Sequence, residues 1–397
     1  MRSPAHDRPL LDGVRILDCT RNIAGPVATM LAAEFGAEVV KVEPPGGDEM
    51  RRWPPFRDEQ SAYFVSCNRG KRSIALDLKA EGDRRIFDAL LARADVFVEN
   101  YRPGTLERLG ISWDEVHAEH PELNWVSVTG YGPTGPRAAQ PAYDSMMQAY
   151  VGLMGITGEA DGAPVRAGGS PIDIATSYLG WGAIMACVAN LRGGGEGLRF
   201  DLSLMESAIG IAHAYFQGAL FGSPLPGRLG SETMGIYPLG VFPSGDGKDL
   251  MLQVSNEHQW QRFCAGTDSE SYRDDPRFAT NPDRVQNRAE LRPLLVEALA
   301  KRSADDWTEL FSDLGVPAST VKTFAEVAKD PQLRAREMVT DTRLPSGETV
   351  PTWGVPVKVH SDGVKVAGPL SVPGIDEHRA EIVAELGGLE KRGAPAE

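Results

Sequence analysis

Cysteine is scarce and scattered. The 397-residue chain holds four, Cys19, Cys67, Cys187 and Cys264, with no CxxC pair among them. Neither a zinc site nor a disulfide framework is suggested, and isolated thiols suit a reducing, cytoplasmic compartment. The seven histidines form no ligand pattern, and HExxH and GxSxG are missing, which disfavours zinc-protease and serine-hydrolase chemistry. GxxxxGK[ST] is missing too. The first strand-like segment runs into CTRNIAGP rather than GxGxxG, so a nicotinamide or flavin site there is not expected. The N-terminus MRSPAHDRPLLDG lacks the apolar core of a signal peptide. The longest uncharged stretch with any membrane look, Ile174–Leu191, contains Thr, Ser, Tyr and Asn and reads as a buried helix rather than a membrane span. No fixed-period repeat or low-complexity segment is present.

Hydrophobic residues make up 42% of the chain and charged residues 24%, enough to bury a large core. The net charge is −14 and the pI near 5.1, which argues against a nucleic-acid partner. Lys+Arg and Asp+Glu balance over residues 1–110, so the whole negative excess lies beyond them. An anionic ligand would favour the N-terminal quarter.

The first third of the chain alternates strand and helix patterns. Val14–Cys19, Glu38–Val42, Val96–Val98 and Trp125–Val128 read as strands. A helix opening with Pro26 at its first position and one over Ile86–Ala92 lie between them, so βαβ units and a parallel sheet are expected. Residues 142–191 read mostly as helix, broken by a Gly-rich stretch over Gly158–Pro171. A strand over Leu198–Leu204 and a helical run Glu206–Phe221 follow. Gly245-Asp246-Gly247 marks a hairpin, and the tail from Val350 reads as short strands (Val355–Val359) and a helix near His378–Leu386. The expected division is a large domain over 1–204, a linker over 205–240, a small α+β domain over 241–325, a second linker over 326–345, and a return to the large domain over 346–397.

Several strand ends carry groups suited to an anion. Ile23-Ala24-Gly25-Pro26 joins a strand to a helix N-terminus, where free N–H groups point outward, though an ordinary βα turn looks the same. Arg51 and Arg52 after Glu43, and the cations of Asn68-Arg-Gly-Lys-Arg, can reach a phosphate or simply be solvated. Tyr101 can stack on a purine, and Arg102 and Arg108 can bind phosphates. Gln148 lies one helical turn past Asp144, on the same face. Asp173, in GGSPIDIATSYLG, heads the long uncharged helix. It reads either as an N-cap or as a nucleophile kept ionised by the helix N-terminus.

Taken in order, LDGVRILD, AGPVATMLAAEFGAEVVKVEPPGGDEMR, NRGKRSIALDLK, ADVFVENYRPGTLERLG, SVTGYGPTGP, YDSMMQA, GGSPID and GGGEGLRFDLSLMESA resemble the family III CoA-transferases, the group containing formyl-CoA transferase and carnitine CoA-transferase. The resemblance is strongest from Leu11 to about Leu204. It implies an α/β fold in which a Rossmann-like large domain with a parallel sheet carries a smaller α+β domain, in an interlocked homodimer. It implies CoA and acyl-CoA as substrates with no tightly bound cofactor and no metal, and no nucleic-acid or membrane partner. Asp173 matches the family's catalytic aspartate, which forms an aspartyl-acyl anhydride and then an aspartyl-CoA thioester. CoA contacts carry over to Ile23, Ala24, Leu76, Asp77, Lys79, Asn100, Tyr101, Arg102 and Arg108, and substrate contacts to Tyr143 and Asp144.

The chain departs from the family pattern in three places. Pro141 replaces a CoA-binding lysine of some members. No glycine run lies near 228–240, which argues against formyl/oxalyl exchange. Tyr143 stands where the family's α-methylacyl-CoA racemases have a histidine, which disfavours a racemase or epimerase. A non-catalytic CoA-binding protein is the third reading, disfavoured by the intact Asp173. Arg166, close to Asp173 in sequence, is a candidate for holding the second carboxylate of a dicarboxylic acid, or a plain surface cation.

Overall fold

A computed structural model describes residues 8–360, 364–365 and 370–390. Residues 1–7, the first part of the N-terminus read above as lacking a signal peptide, lie outside them. The chain divides into two compact units. The first comprises residues 1–151, 168–213 and 331–397, and the second residues 152–167 and 214–330.

The first unit is built on six parallel strands: β1 (Arg15–Cys19), β2 (Glu38–Glu43), β3 (Arg72–Ala75), β4 (Val96–Glu99), β5 (Asn124–Thr129) and β6 (Arg199–Ser203). Their order is β3-β2-β1-β4-β5-β6. This is a doubly wound sheet whose strand order reverses between β1 and β4. Strands such as RILDC and EVVKVE are buried at every position but the first, as suits strands covered on both faces. On one face lie α1 (Ala24–Glu34), α2 (Ala62–Asn68) and α6 (Pro171–Arg192), contributing Val27, Met30, Phe64, Ile184 and Val188 to one core. On the other face α3 (Glu81–Leu91) and α4 (Trp113–Glu119) bury Phe87, Leu91 and Val116, joined by Ile382 from the C-terminal helix Arg379–Glu390. The tail thus returns to the first unit. At Gly180 of α6 an added Cβ would lie 3.2 Å from the Ala28 Cβ of α1, so glycine permits the close approach of these two helices.

The second unit has a three-stranded antiparallel sheet, Leu239–Pro243, Asp249–Gln253 and Ala318–Thr320. Its core stacks Trp260 on Phe263, Phe263 on Phe311 and Trp307 on Phe311, with ring centroids 5.2–5.6 Å apart.

Several local expectations need correction. Pro26 is the third residue of α1, not the first. Between 142 and 191 only α5 (Asp144–Tyr150) and α6 are helical; the glycines of the intervening stretch keep it in turns. The run Glu206–Phe221 is two helices, Leu204–Ile211 and His213–Leu220. Val355–Val359 forms no strand; instead Val339–Arg343 pairs with Thr349–Trp353. The apolar alternation there is misleading because Pro356 has no N–H to donate, whereas Gly347, at φ +91°, makes the turn of the real hairpin.

Between β1, β2 and the start of β3 lies a buried ionic network. The Lys71 ammonium directs its three N–H donors at Asp18 Oδ2 (2.8 Å), Pro26 O (2.9 Å) and Asn68 Oδ1 (2.9 Å). Asp18 also accepts from Thr20 and Thr29. Lys41 bonds Thr20 O and lies 3.0 Å from Asp48. Burial pushes the Asp18 carboxyl up, but Lys71 and Lys41 outweigh it and bring it down to about 2. The network clamps both ends of the β1–α1 turn. Replacing Lys71 with Met strands the Asp18 charge and is expected to cost about 3–5 kcal/mol in urea denaturation. The double variant Asp18→Asn/Lys71→Met recovers most of that loss; a single variant as stable as the parent would show that the network holds nothing.

Candidate active site

Open α/β sheets bind ligands beyond the carboxyl ends of their strands, where the order reverses. Here that point is flanked by the loops after β1 and β4. The Asn100 side chain ties them together, accepting from the Arg21 N–H (2.9 Å) and donating to Arg21 O (2.8 Å). The Arg21 guanidinium lies 5.1 Å from the Tyr101 ring centroid. Burial raises the Tyr101 hydroxyl to about 12, so it stays neutral. Asn22 has φ +61°, and its Oδ1 is buried without a partner. Ile23 caps α1 with no side-chain bond, leaving the first-turn amides of Ala24 and Gly25 without a capping side chain. Gly25 is required: a Cβ there would come within 2.4 Å of the Thr20 side chain.

The head of α6 adjoins this turn. Ile172 packs with Ala24, and the Ser177 hydroxyl bonds Asp173 O (2.8 Å) and reaches Ile23 O at 3.5 Å. Asp173 is not the N-cap. Ser170 holds that position without a side-chain bond, Pro171 follows, and Asp173 is the third helical residue. The helix amides are instead taken by Asp144, whose Oδ2 accepts from Ile172 N (2.7 Å) and Asp173 N (3.2 Å) while its Oδ1 accepts from Gln148 Nε2 (2.6 Å). Asp144 is buried and Asp173 half-buried. The expectation that the helix end keeps Asp173 readily ionised is reversed: burial, and then the Asp144 charge, push its carboxyl up to about 7.

The remaining candidates are distributed unevenly. Tyr143 is exposed and precedes α5. Arg102 and Arg108 are exposed beyond β4, Arg108 donating to Thr105 Oγ1 (3.1 Å). Leu76, Asp77 and Lys79 follow β3, three strands or about 14 Å along the same edge. The Leu76 side chain is in the core, so only its backbone can meet a ligand, whereas Asp77 and Lys79 are exposed. Arg166 belongs to the second unit, exposed, with Nη1 3.3 Å from Ala167 O. Of the cations read after β2 and α2, Arg51 is paired with Glu43 and Lys71 with Asp18, while Arg69 pairs with Glu34 through its Nε alone. Among the described residues no cluster of His, Cys, Asp or Glu could hold a metal ion. Asn22 and the Asp18–Lys71 network escaped the sequence; the only signal for Asn22 is its place between a strand end and a proline-bearing helix start.

A family model described as "CoA-transferase family III" matches residues 11–379. The chain is 36% identical to the succinyl-CoA:glutarate CoA-transferase of Mus musculus, over 96% of this chain and 88% of that protein. It is 34% identical to the acetyl-CoA:oxalate CoA-transferase of Acetobacter aceti, over 98% and 99%. It is also 35% identical to the succinyl-CoA:mesaconate CoA-transferase of Haloarcula hispanica, over 95% and 96%. The crystal structure of a CAIB/BAIF family protein from Brucella suis superposes with a TM-score of 0.85 at 34% identity, covering 96% of this chain and 100% of that one.

The Asp173 carboxyl should titrate with a midpoint near 7 by ¹³C NMR. Asp144→Asn removes the like charge, leaves burial in place, and should lower the midpoint by about one unit. A midpoint unmoved by that substitution would disprove the coupling.

Proposed function

Because the chain belongs to CoA-transferase family III, we propose that it moves CoA from an acyl-CoA thioester to a small dicarboxylic acid, with Asp173 as the nucleophile. The Asp173 carboxylate adds to the thioester carbonyl and the C–S bond breaks, giving an aspartyl-acyl anhydride and CoA thiolate. The thiolate attacks the aspartyl carbonyl, the donor acid leaves as a carboxylate, and Asp173 is now an aspartyl-CoA thioester. The acceptor carboxylate attacks that thioester, again releasing the thiolate. The thiolate then takes the acceptor's acyl carbon and restores the Asp173 carboxylate. No net proton is consumed.

The observation that carries this reading is the division of labour at α6. Asp144 occupies the helix amides, which leaves the Asp173 carboxyl free of the capping role. A carboxyl near 7 is ionised in roughly half the molecules at neutral pH, and its basicity raises its nucleophilicity. Ile23, Ala24, Asn100, Tyr101, Arg102 and Arg108 would receive the CoA along the reversal point. Leu76, Asp77 and Lys79 would receive it further along the edge, and Tyr143 and Asp144 would face the acyl group. CoA enters as a substrate, without a resident cofactor. The dicarboxylic class is supported by the relatives' names, succinyl-CoA:glutarate, succinyl-CoA:mesaconate and acetyl-CoA:oxalate; the last keeps oxalate in the panel despite the missing glycine run. We further propose an interlocked homodimer and a cytoplasmic location. Exposed Leu220 and Phe221 fit a chain–chain contact, and four buried free thiols fit a reducing compartment.

A donor–acceptor matrix read by mass spectrometry of the CoA esters should show exchange with dicarboxylic acceptors. Asp173→Ala should lower turnover by at least about 10⁴-fold, and borohydride should trap Asp173 in the parent alone. Near-normal turnover in Asp173→Ala refutes the role. Deuterium exchange at the α-carbon of a 2-methylacyl-CoA without change of carrier would make the protein a racemase instead. Arg166→Ala should raise the KM of a dicarboxylic acceptor about tenfold and leave that of a monocarboxylic one alone; an unchanged KM for both removes Arg166 from the site.

A further inference from the structure

The first unit contains a cationic cavity, of about 650 Å³, at the far end of α1. Its wall includes Glu34, the last residue of that helix, whereas Ala24, at the first residue, borders the Asp173 region. Eleven helical residues put these ends about 15 Å apart, so the two sites are separate.

Arg69 carries the argument. It follows α2 and its side chain is only 1% exposed. Its Nε bonds Glu34, and its guanidinium plane rests 4.9 Å from the Trp353 ring centroid. Trp353 is itself fixed by its indole N–H on Ser66 O at 2.8 Å. Both Nη atoms are buried without any acceptor. A buried guanidinium normally has its donors satisfied, and leaving two empty is costly. The Nη edge of a guanidinium matches the two oxygens of a carboxylate.

The rest of the wall adds charge. Arg334 and Arg336 are exposed and form no ion pair among the described residues, while Lys358 bonds Glu337 O at 3.3 Å. Against these three cations stand Glu337 and Asp341, with Glu34 balancing Arg69. Among the described residues the wall therefore keeps a net positive charge, carried by the buried Arg69 guanidinium and by two exposed arginines. Its volume lies in the range of small-molecule sites and exceeds what a lone acetate or phosphate would fill.

We propose that this cavity is a binding site for a small organic dicarboxylate, one carboxylate held by the Arg69 fork and the other by Arg334 and Arg336. It is independent of the transfer reaction. Equilibrium dialysis of labelled succinate against the full-length protein saturated with CoA counts the equivalents bound, with acetate and inorganic phosphate as parallel probes. One saturable succinate equivalent per chain should persist in Asp173→Ala. It should weaken at least tenfold in Glu34→Gln/Arg69→Met, which removes both buried charges together, and in Arg334→Ala/Arg336→Ala, whose exposed positions leave folding intact. Acetate and phosphate should bind at least tenfold more weakly. The proposal is overturned if no equivalent depends on the exposed arginines, if the folded charge-free double variant still binds succinate normally, or if phosphate binds as tightly. The readout is binding rather than turnover, so an inactive enzyme that still binds would refute the transfer mechanism without touching this site.

Discussion

Two carboxylates meet at the head of one helix, and only one of them can take its free amides. Asp144 does so, from a separate helix 28 positions away from Ile172 in sequence, with Gln148 orienting its other oxygen. Everything distinctive about Asp173 depends on that choice. Were Asp173 bonded to the amides itself, it would be a weak base pinned against the backbone. Instead it keeps a charge beside it and apolar surroundings behind it, both of which raise its basicity. The rest of the first unit serves to keep the pair in place: Ile172 in the core with Ala24 and Leu204, and Ser177 binding the turn of α6 to the β1–α1 loop.

The alternating pattern of strands and helices was legible because parallel strands buried on both faces gather apolar residues into short segments between helical ones. Asp173 and Asp144 were legible as residues, and their neighbourhood followed from the family motifs. Their relationship was not. A side chain capping a helix from 28 residues away leaves no local trace, and a cap-like aspartate at a helix start reads the same whether or not it caps. For the same reason the cations of NRGKR were misjudged. A lysine in a glycine-containing loop looks solvated, but Lys71 is drawn inward by Asp18, which the sequence shows only as the polar interruption of a strand. Val355–Val359 failed differently: period-two alternation cannot tell a paired strand from an extended segment whose proline has nothing to donate.

Arg69 and Arg51 show how the same residue type takes different parts within one unit. Arg51 closes a bidentate pair with Glu43 and adds a bond to Pro373 O, so it is structurally complete. Arg69, in the wall of a cavity, uses one of its nitrogens and leaves the other two buried without a partner. Only the count of satisfied donors separates a structural arginine from a receptive one, and that count requires coordinates.

The paired hydrogen bonds between Asn100 and the backbone of Arg21 have a thermodynamic corollary. The two loops at the sheet's reversal point are locked to each other before any ligand arrives, so a molecule settling there has little chain entropy to remove. Association at that lip would then be governed by the flexibility of the incoming ligand rather than by that of the protein.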